Sequence, residues 1–452
     1  MANNLMVGYA RVNITPMLGI RMRGYYRVRR AEAILDELEI CALAFACGDT
    51  KVVALTLDIS TLITETADEL RTHIAEVTGL PVEAVYLHAT HTHTGPYTIC
   101  DAEEELEKDY YRSVYHKVAD AAKFALEDLK PAKMGYAVGV APEVAFIRRY
   151  KMKDGTTRTN PGIGNPDIDH AIGVADHRVN VLRFNREGGE TVILGNFGNH
   201  PDAISGNKIS ADWPGFVRRQ VEQAIPGSKC IFFNGCEGDV NHWNVCPDFP
   251  TDELMFDAGE MQRGHRFSEA IGRAISGTIL QQFDRTRYIP VDSIRYLQKT
   301  IKLPSNRPTP EEMPEAHRIN DLYEAGRANE LPYKDMMLTT VIADASRKVR
   351  LEHGPDFYEM TLSGIALGNI ALLGIPGEPF SGIGIALKKA PGWDLVLPTC
   401  ITNGSTGYFP MQDAYDEGGY EAKVSRFKAG VAEHIIAEGT ELLNELQSCV
   451  IA

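Results

Sequence analysis

The stretch LHATHTHTGP, residues 87–96, decides how the fold and the site of this chain are interpreted. It contains three of the thirteen histidines and continues an apolar run, which predicts a buried strand that ends at a Gly-Pro turn. Alternate residues of a strand face the same side, so His91 and His93 project together. Two neutral imidazoles aimed at one point suit a cation such as zinc. The alternative is a pair of structural histidines bonded to threonine hydroxyls and backbone, and the pair alone cannot complete a catalytic zinc site, which needs at least three protein ligands.

The sequence on either side of this stretch alternates between strands and helices. Val-, Ile- and Leu-rich runs over 6–60 predict short strands, and apolar residues at helical spacing predict helices over 64–78 and about 104–129. Further strands and helices follow, up to a closing helix at about 423–447. This order of elements is typical of the α/β class. The chain shows no internal repeat and no low-complexity linker, so we expect one intertwined domain over 1–452.

Three segments depart from the alternation. Residues 151–177 are rich in Gly, Asn, Asp and Pro without a clear period, and we predict a lid or substrate loop there. Residues 303–350 are Pro-rich and charged and predict two polar helices, which form either a surface insertion or a cap that binds. The stretch GIRMRGYYRVRRAEAILD, residues 19–36, carries five Arg and two Tyr. It is either a solvated loop or a rim that meets an anionic or planar substrate.

Composition and charge exclude several classes of function. The formal net charge is −15 and the sequence pI is about 5.4, so the chain lacks the basic surface of a nucleic-acid-binding protein. No apolar run is long enough to span a membrane, and the start, MANNLMVGYARVNITP, lacks the pattern of a secretory signal. The eight Cys are scattered without a CxxC pair. We therefore expect free buried thiols and a cytoplasmic protein without stable membrane insertion.

Other candidate site residues stand where strands are predicted to end. His200 precedes a proline in GNFGNHPDAIS, and Glu378 stands at a strand-to-helix junction in GIPGEPFSGIG. Tyr408 and Tyr420 fall in the Gly-rich stretch GSTGYFPMQDAYDEGGYEA. Strand ends commonly carry polar residues, and spacing along the chain does not show whether these side chains meet in space.

Taken together, these motifs resemble the catalytic domain of the neutral (non-lysosomal) ceramidase family and its bacterial relatives. ATHTHTGP is similar to the family's ATHTHSGP, and six further segments follow the family's order over nearly the whole chain. These segments are VGYARVNITP, NFGNHP, ISADWPG, NGCEGDVN, GIPGEPF and GYFPMQDAYDEGGYEA. We expect no counterpart of the family's C-terminal immunoglobulin-like domain, because the sequence ends soon after the tyrosine motif.

The resemblance implies an α/β fold in which one large catalytic domain has two central mixed β-sheets flanked by helices. It also implies one Zn²⁺ per chain, held by His91, His200, Glu378 and Tyr408. His93 then stands beside the metal and hydrogen-bonds the substrate or the tetrahedral intermediate. Arg148 and Tyr420 are further catalytic candidates, although Ile147 replaces the asparagine that precedes the arginine in the family.

One departure from the family concerns the residue after GDV. The family has GDVSP where this chain has GDVNHW, so Asn241 replaces a serine implicated in amide cleavage. The amide of Asn241 is a fourth catalytic candidate, since it can donate a hydrogen bond but cannot act as a hydroxyl nucleophile. Serine-based acyl transfer is therefore not expected, whereas hydrolysis by metal-activated water is.

The sequence thus predicts a zinc-dependent hydrolase of a linear amide. We expect a small-molecule or lipid-like amide substrate, and a small cytosolic compound rather than ceramide. The alternatives are an ester or lactone hydrolase and a non-catalytic, metal-containing binding protein of the same fold. Asp58 and Asp239 are either candidates to orient the histidine ligands or ordinary buried or capping aspartates. The sequence does not define the oligomeric state.

Overall fold

The computed structural model describes residues 5–245 and 263–448. In these residues the strands are, in chain order, β1 (Met6–Asn13), β2 (Arg21–Met22), β3 (Arg29–Arg30), β4 (Ala33–Ile34), β5 (Glu39–Cys47), β6 (Thr50–Leu57), β7 (Val85–Ala89), β8 (Lys130–Val140), β9 (Phe146–Ile147), β10 (Arg149–Met152), β11 (Thr157–Thr159), β12 (Ile168–Ala171), β13 (Arg178–Arg186), β14 (Thr191–Phe197), β15 (Lys208–Ile209), β16 (Ser228–Asn234), β17 (Val240–Asn241), β18 (Arg287–Ile289), β19 (Ile294–Pro304), β20 (Phe357–Leu367), β21 (Ile370–Gly374), β22 (Glu378–Pro379), β23 (Leu395–Thr399) and β24 (Tyr408–Phe409). The helices are α1 (Thr64–Thr78), α2 (Glu105–Glu127), α3 (Asp212–Ala224), α4 (His265–Phe283), α5 (Met313–Glu324), α6 (Asp335–Leu351), α7 (Ser381–Leu387), α8 (Gln412–Glu417), α9 (Tyr420–Val424) and α10 (Val431–Ser448).

The larger sheet has nine strands and nearly closes on itself. Its order is β16-β14-β13-β8-β1-β5-β6-β7, with β18 paired to β8. The pairs β14–β16 and β6–β7 are parallel and the others antiparallel, so the sheet is mixed. The two outer strands approach each other, because the backbone N–H of Asn234 donates to His88 Nε2 (3.1 Å) and its side-chain amide donates to the carbonyl of Thr90 (3.2 Å). The carboxyl ends of β7, β14 and β16 therefore lie together.

Side chains that alternate along each strand place this sheet between two cores. In β5, Leu43 and Phe45 point into one core, whereas Ala42 and Ala44 point into the other. Successive residues of a strand face opposite sides, so a strand that is buried on both sides is a continuous apolar run in the sequence. The second of these cores contains the apolar faces of α1 and α2.

The smaller sheet has four strands and packs on the larger one. Its order is β19-β20-β21-β23, and it is mixed because β21 and β23 are parallel. Ile365 and Leu372 reach the core shared with the larger sheet, whereas Ala366 and Leu373 pack towards α7 and α10. Helices α3 and α4 cover the other part of the larger sheet. The predicted α/β fold, with two mixed sheets in the middle and helices outside, is confirmed.

Several predicted segments differ in detail. The helix predicted over 64–78 is α1, but the predicted closing helix is divided into α9 and α10. The segment 151–177, predicted to be a loop, contains β10, β11 and β12, which form a three-stranded sheet. The apolar pattern did not predict these strands because their outer positions are solvated. Three of the four residues of β12 are exposed. The role of this segment as a lid stays a prediction.

Helices α5 and α6 lie in the connection between β19 and β20, which pair along their whole length. The two helices pack on each other through an apolar cluster of their own, formed by Met313, Ala316, Ile319, Leu331, Ile342 and Ala345. This arrangement is compatible with the helical insertion predicted around 303–350, whose boundaries stay a prediction.

The cysteines of the described residues are free, and those at 41, 47, 230, 236 and 400 are buried. Cys246 and Cys449 lie outside the described residues. In the part of the chain that the structure describes, every helix is too short or too polar to cross a bilayer.

Candidate metal centre

Three imidazoles and one carboxylate converge at the edge where β7, β14 and β16 end. Glu378 Oε2 lies 3.5 Å from His91 Nε2 and 3.4 Å from His200 Nε2. His93 Nε2 lies 3.2 Å from His91 Nε2. His91 and His200 are only 5% and 1% exposed. Residues from distant parts of the chain thus form one buried cluster whose geometry can hold a metal ion.

Backbone carbonyls orient two of these histidines. His91 Nδ1 donates to the carbonyl of Ser60 (2.6 Å). His200 Nδ1 donates to the carbonyls of Glu237 (2.9 Å) and Val240 (3.0 Å). Because Nδ1 carries the proton in each ring, the lone pairs on Nε2 face the centre of the cluster.

Asp58 and Asp239, which the sequence left as either supports of the histidines or ordinary buried aspartates, bind other partners. Asp58 is bound by the Arg218 guanidinium at 2.5 and 3.0 Å. Asp239 accepts hydrogen bonds from the backbone N–H (2.7 Å) and the hydroxyl (3.1 Å) of Ser381. Each carboxylate is bound to a partner that is remote in sequence, and spacing along the chain does not reveal such partners.

The third histidine of the opening stretch, His88, has a structural role. Its Nδ1 pairs with the Thr56 hydroxyl (2.9 Å), and its Nε2 accepts the backbone N–H of Asn234. Burial lowers the pKa of His88 to about 3, so the ring is neutral. The end of this strand therefore carries a structural histidine, His88, together with the candidate metal ligand His91.

Glu378 and Tyr408 are brought together by β22 and β24, a parallel pair of two-residue strands in which they are direct partners. The Arg148 guanidinium carbon lies 5.4 Å from the centre of the Tyr408 ring. Burial raises the pKa of Tyr408, the Glu378 carboxylate raises it further, and Arg148 acts in the opposite direction. These effects favour the protonated phenol, so binding of a metal ion by Tyr408 would release its proton.

Burial and charge shift the pKa values of the cluster in different directions. Burial lowers the pKa of His91, but the Glu378 carboxylate, with Glu237 and the carbonyl of Ser60, outweighs burial, so the pKa of His91 is raised. Burial and Arg148 lower the pKa of His200 to about 4, and burial and the two other imidazoles lower that of His93 well below its usual value. Burial opposes ionisation of Glu378, yet His91 and His200 hold the pKa of its carboxyl well below normal. The cluster thus combines an ionised carboxylate with imidazole donors, a ligand set typical of zinc.

The chain aligns over its full length with solved ceramidase structures. The crystal structure of neutral ceramidase from Pseudomonas aeruginosa aligns with a TM-score of 0.74 and 15% sequence identity, covering 100% of this chain and 76% of that one. The chain has the neutral ceramidase fold. A structure of a ceramidase complexed with C2 aligns with a TM-score of 0.72 and 15% identity, covering 100% of this chain and 77% of that one. No protein-family model and no curated protein matches the sequence.

The neutral ceramidase fold confirms the resemblance that the ordered motifs predicted, at the level of the fold. Within this fold Arg148 lies beside the metal centre. Its Nη1 is 3.2 Å from His200 Nε2, its Nε donates to Glu421 (2.7 Å) and its Nη2 donates to the carbonyl of Gly238 (2.8 Å). Glu421 is fully buried and was not predicted, although it follows Tyr420 directly in the tyrosine motif. This pair fixes the guanidinium against the centre.

Asn241 makes its contacts away from the cluster. Its Nδ2 donates to Asn160 Oδ1 (2.7 Å), and its Oδ1 accepts the backbone N–H of Trp243 (3.0 Å). Among the described contacts, none joins Asn241 to His91, His93, His200 or Glu378. The carbonyl of the preceding residue, Val240, accepts the hydrogen bond from His200 Nδ1. Asn241 is therefore next to a residue that orients His200.

Glu237 is a buried carboxylate of the cluster that sequence reasoning missed. The ligand atoms of Glu237, His91, His200 and Glu378 all lie within 4.8 Å of one another. Burial raises the pKa of Glu237, His91 opposes this effect, and Glu378 adds to it. The two acids therefore favour opposite protonation states, as expected for neighbouring carboxylates. Glu237 lies in NGCEGDVN, one of the segments that resemble the family, and this position could have indicated it as a site residue.

Asp202 is a second buried acid that was not predicted. Its Oδ1 lies 3.8 Å from His93 Nδ1 and accepts a hydrogen bond from the Tyr25 hydroxyl. Burial raises the pKa of Asp202 to about 7. Asp202 follows His200 by two residues, so proximity to a predicted ligand could have indicated it.

The candidate metal centre opens into a cleft of about 520 Å³. His91, His93, Glu378, Tyr408 and Tyr420 line it. The ring centres of Tyr408 and Tyr420 are 5.7 Å apart, so Tyr420 stands next to the predicted ligand.

The Arg-rich stretch 19–36 supplies one wall of this cleft. Gly24 has a φ of 114°, and a Cβ there would lie 2.9 Å from the Cα of His93, so the close approach of this wall requires glycine. Tyr25 packs edge-on against His93, with ring centres 5.4 Å apart. The stretch therefore forms part of the cleft wall, and its contact with an anionic or planar substrate stays a prediction.

Proposed function

We propose that this chain is a metal-dependent hydrolase of a linear amide, and that it binds one zinc ion through His91, His200, Glu378 and Tyr408. The observation that carries the proposal is the convergence of imidazole nitrogens and a carboxylate oxygen in a buried cluster that borders an open cleft. The neutral ceramidase fold supports the reaction class, because both solved structures compared above are of ceramidases.

The residues present fit a divalent transition metal. Tetrahedral zinc with ligands at about 2.0–2.2 Å separates the ligand atoms by about 3.3–3.6 Å. The distances of 3.4 and 3.5 Å from Glu378 Oε2 to His200 Nε2 and His91 Nε2 lie in this range. This oxygen is buried without a hydrogen-bond partner among the described residues, a costly arrangement that a cation relieves. Mixed nitrogen and oxygen donors favour zinc over Mg²⁺ or Ca²⁺, which prefer oxygen ligands.

A bound zinc ion supplies an activated water with a pKa of about 7 and polarises the substrate carbonyl. The side chains around it have separate tasks. The Tyr420 hydroxyl donates a hydrogen bond to the carbonyl oxygen as negative charge develops there. His93 Nε2 takes the proton of the attacking water and delivers it to the leaving nitrogen, while Asp202 faces Nδ1 of the same ring. The water oxygen bonds to the carbonyl carbon as the C–N bond breaks, giving a carboxylate and an amine.

Arg148 and Asn241 have positioning roles in this scheme. The guanidinium, bound to Glu421, holds the Tyr408 ring and the imidazole of His200 in place. Asn241 stabilises the β17 segment whose Val240 carbonyl orients His200. A small substrate rather than ceramide, and a cytoplasmic location, stay predictions from the sequence. An ester or lactone is the alternative substrate, because the same groups stabilise its tetrahedral intermediate.

Metal analysis combined with a substrate panel tests the proposal. The purified chain is expected to contain about one zinc ion, to lose hydrolysis after dialysis against a chelator, and to regain it with Zn²⁺. The panel pairs acyl p-nitroanilides with the matching p-nitrophenyl esters and includes a lactone and a fluorescent ceramide. Zinc-loaded protein that cleaves none of them supports the binding-protein alternative, and metal-free protein with chelator-resistant activity contradicts the metal centre.

The Tyr420→Phe variant tests the hydrogen bond to the developing oxyanion. We expect kcat to fall about 100-fold, because one preorganised donor is lost, while KM changes by less than about three-fold and zinc content is unchanged. The matched control is Tyr333→Phe, at an exposed tyrosine outside the cleft. Steady-state kinetics and metal analysis on both variants provide the check, and an unchanged kcat would remove Tyr420 from the mechanism.

A further inference from the structure

The cleft beside the metal centre carries positive charge that the proposed hydrolysis does not use. The arginines that line it are Arg21, Arg23, Arg27, Arg350 and Arg426. Among the described residues that line it, Glu378 of the metal centre is the one acid. The chain as a whole has a net charge of −15, so this local excess does not follow from composition. A cleft lined by one sign of charge concentrates ligands of the opposite sign.

Four of these arginines form no ion pair with a described residue: Arg23 and Arg27, which lie over the rings of Tyr97 and Tyr25, and Arg350 and Arg426. Arg21 is bound by Glu107 and lies 3.4 Å from Glu104, so its charge is compensated within the protein. Within residues 5–245 and 263–448, the guanidinium groups of Arg350 and Arg426 form neither an ion pair nor a hydrogen bond. Their charges are therefore available to a ligand.

The absence of a counter-ion is costly at Arg426, which is only partly exposed. Burial and the like charge of Arg350 lower the pKa of Arg426, whereas Tyr358 and Glu65 act in the opposite direction. The Arg426 guanidinium carbon lies 5.3 Å from the centre of the Tyr358 ring, within the range of a cation–π contact. A guanidinium held in this way gains charge-assisted, often bidentate hydrogen bonds when a carboxylate or similar oxyanion binds.

Both arginines stand on elements that also contact the rest of the cleft. Arg426 follows α9, whose first residue is Tyr420. Arg350 lies in the last turn of α6, near Tyr26: burial raises the pKa of that phenol, and the Tyr420 hydrogen bond and the Arg350 charge act in the opposite direction. The backbone carbonyl of Tyr26 accepts a hydrogen bond from the Tyr323 hydroxyl of α5 (2.9 Å). The α5–α6 segment is thus attached to the Arg-rich rim of the cleft.

We propose that Arg350 and Arg426 form a binding site for an oxyanion on the substrate, so that the chain hydrolyses amides that carry a carboxylate or a similar anionic group. This inference rests on the proposed function, because the reacting bond is assigned there. A neutral amide leaves the two guanidinium groups uncompensated, whereas an anionic amide compensates them in the same cleft as the metal centre. The α5–α6 segment is then a cap that binds, rather than a surface insertion.

Matched substrates that differ in one charge test this proposal on the zinc-loaded protein. In the first pair, glutaryl-p-nitroanilide carries a carboxylate on the acyl side and valeryl-p-nitroanilide is its neutral counterpart. In the second pair, N-hexanoylglycine carries the carboxylate on the amine side and N-hexanoylethanolamine is the neutral counterpart. We expect kcat/KM to be at least about 10-fold higher for the charged member of one pair. Arg350→Gln and Arg426→Gln should each raise KM for the charged substrate about 10-fold and leave its kcat nearly unchanged. The KM and kcat of the neutral substrate should not change. Arg318→Gln, at an exposed arginine paired with Glu315 on α5, is the matched control.

Equilibrium binding of glutarate, measured by calorimetry, separates this proposal from the proposed function. Wild-type protein should bind glutarate, and each glutamine variant should bind it about 10-fold more weakly. If amides are cleaved but charged and neutral members react equally and the variants match the wild type, the oxyanion site is overturned and the hydrolase stands. If no amide or ester is cleaved, the proposed function fails, and glutarate binding still decides whether Arg350 and Arg426 bind an oxyanion.

Discussion

Replacing His91 with alanine is expected to remove bound zinc and to lower kcat/KM for amide hydrolysis by about 10³-fold or more, equivalent to about 4 kcal/mol of transition-state stabilisation. His91 supplies an Nε2 atom at 3.5 Å from Glu378 Oε2, and its orientation is fixed by Ser60. Without it, one imidazole and two oxygen donors remain of the proposed ligand set. Zinc content by mass spectrometry and steady-state kinetics on the same preparation give the measurement.

The design of this experiment distinguishes loss of metal from loss of fold. His353→Ala is the matched control, because that side chain is 90% exposed and lies outside the cleft. His200→Ala should reproduce the effect of His91→Ala, and the double variant should be little worse than either, since ligands of one metal act as a unit. A His91→Ala protein that retains zinc and normal kinetics would show that the cluster is not the catalytic centre.

Asp58→Ala is expected to lower the free energy of unfolding by about 3–5 kcal/mol, because the buried Arg218 guanidinium loses its double hydrogen bond and keeps only Glu39 at 3.3 Å. Arg218 is 1% exposed, Asp58 is fully buried, and the two form a double hydrogen bond. Asp58 also accepts hydrogen bonds from the backbone N–H of Glu39 (2.9 Å) and the hydroxyl of Thr90 (3.3 Å), next to His91. Urea unfolding followed by circular dichroism measures the loss.

Two further variants define the cause of this destabilisation. Glu315→Ala removes an exposed partner of Arg318 on α5 and should leave the urea midpoint unchanged. The double variant Asp58→Leu with Arg218→Met replaces both charges with apolar groups, so it should recover much of the stability lost in Asp58→Ala. Equal destabilisation in the single and double variants would mean that packing, rather than an uncompensated charge, is responsible.

Local sequence patterns were sufficient for much of the fold and for part of the site. Continuous apolar runs identified β5 and β6, and apolar residues at helical spacing identified α1. Burial of one or two faces of an element determines which positions along the chain are apolar. The pair His91 and His93 was identified for the same reason, since a strand places alternate side chains on one side. The ordered motifs then predicted the neutral ceramidase fold.

Contacts between distant segments of the chain produce no local pattern in the sequence. Glu237 and Asp202 lie beside the metal centre because the ends of β14 and β16 meet β7, and that closure depends on Asn234 and His88, which no period in the sequence connects. Arg218 likewise binds Asp58 across 160 positions of the chain. Arg350 was part of a helical segment whose sequence favoured a surface insertion over a cap, because no pattern in it shows on which side of the molecule the segment packs.

The attachment of α5 and α6 between two strands that already pair has a consequence for how this protein can diverge. The hairpin of β19 and β20 is closed along its whole length, so changes in the length of the connection alter loop-closure entropy only slightly and leave the sheet intact. Substitutions in this connection change the neighbourhood of Arg350 while the histidines remain on other strands. On the proposed assignment, the part of the oxyanion site that Arg350 contributes would therefore vary independently of the histidines, whereas Arg426 follows the helix that begins with Tyr420 and would not.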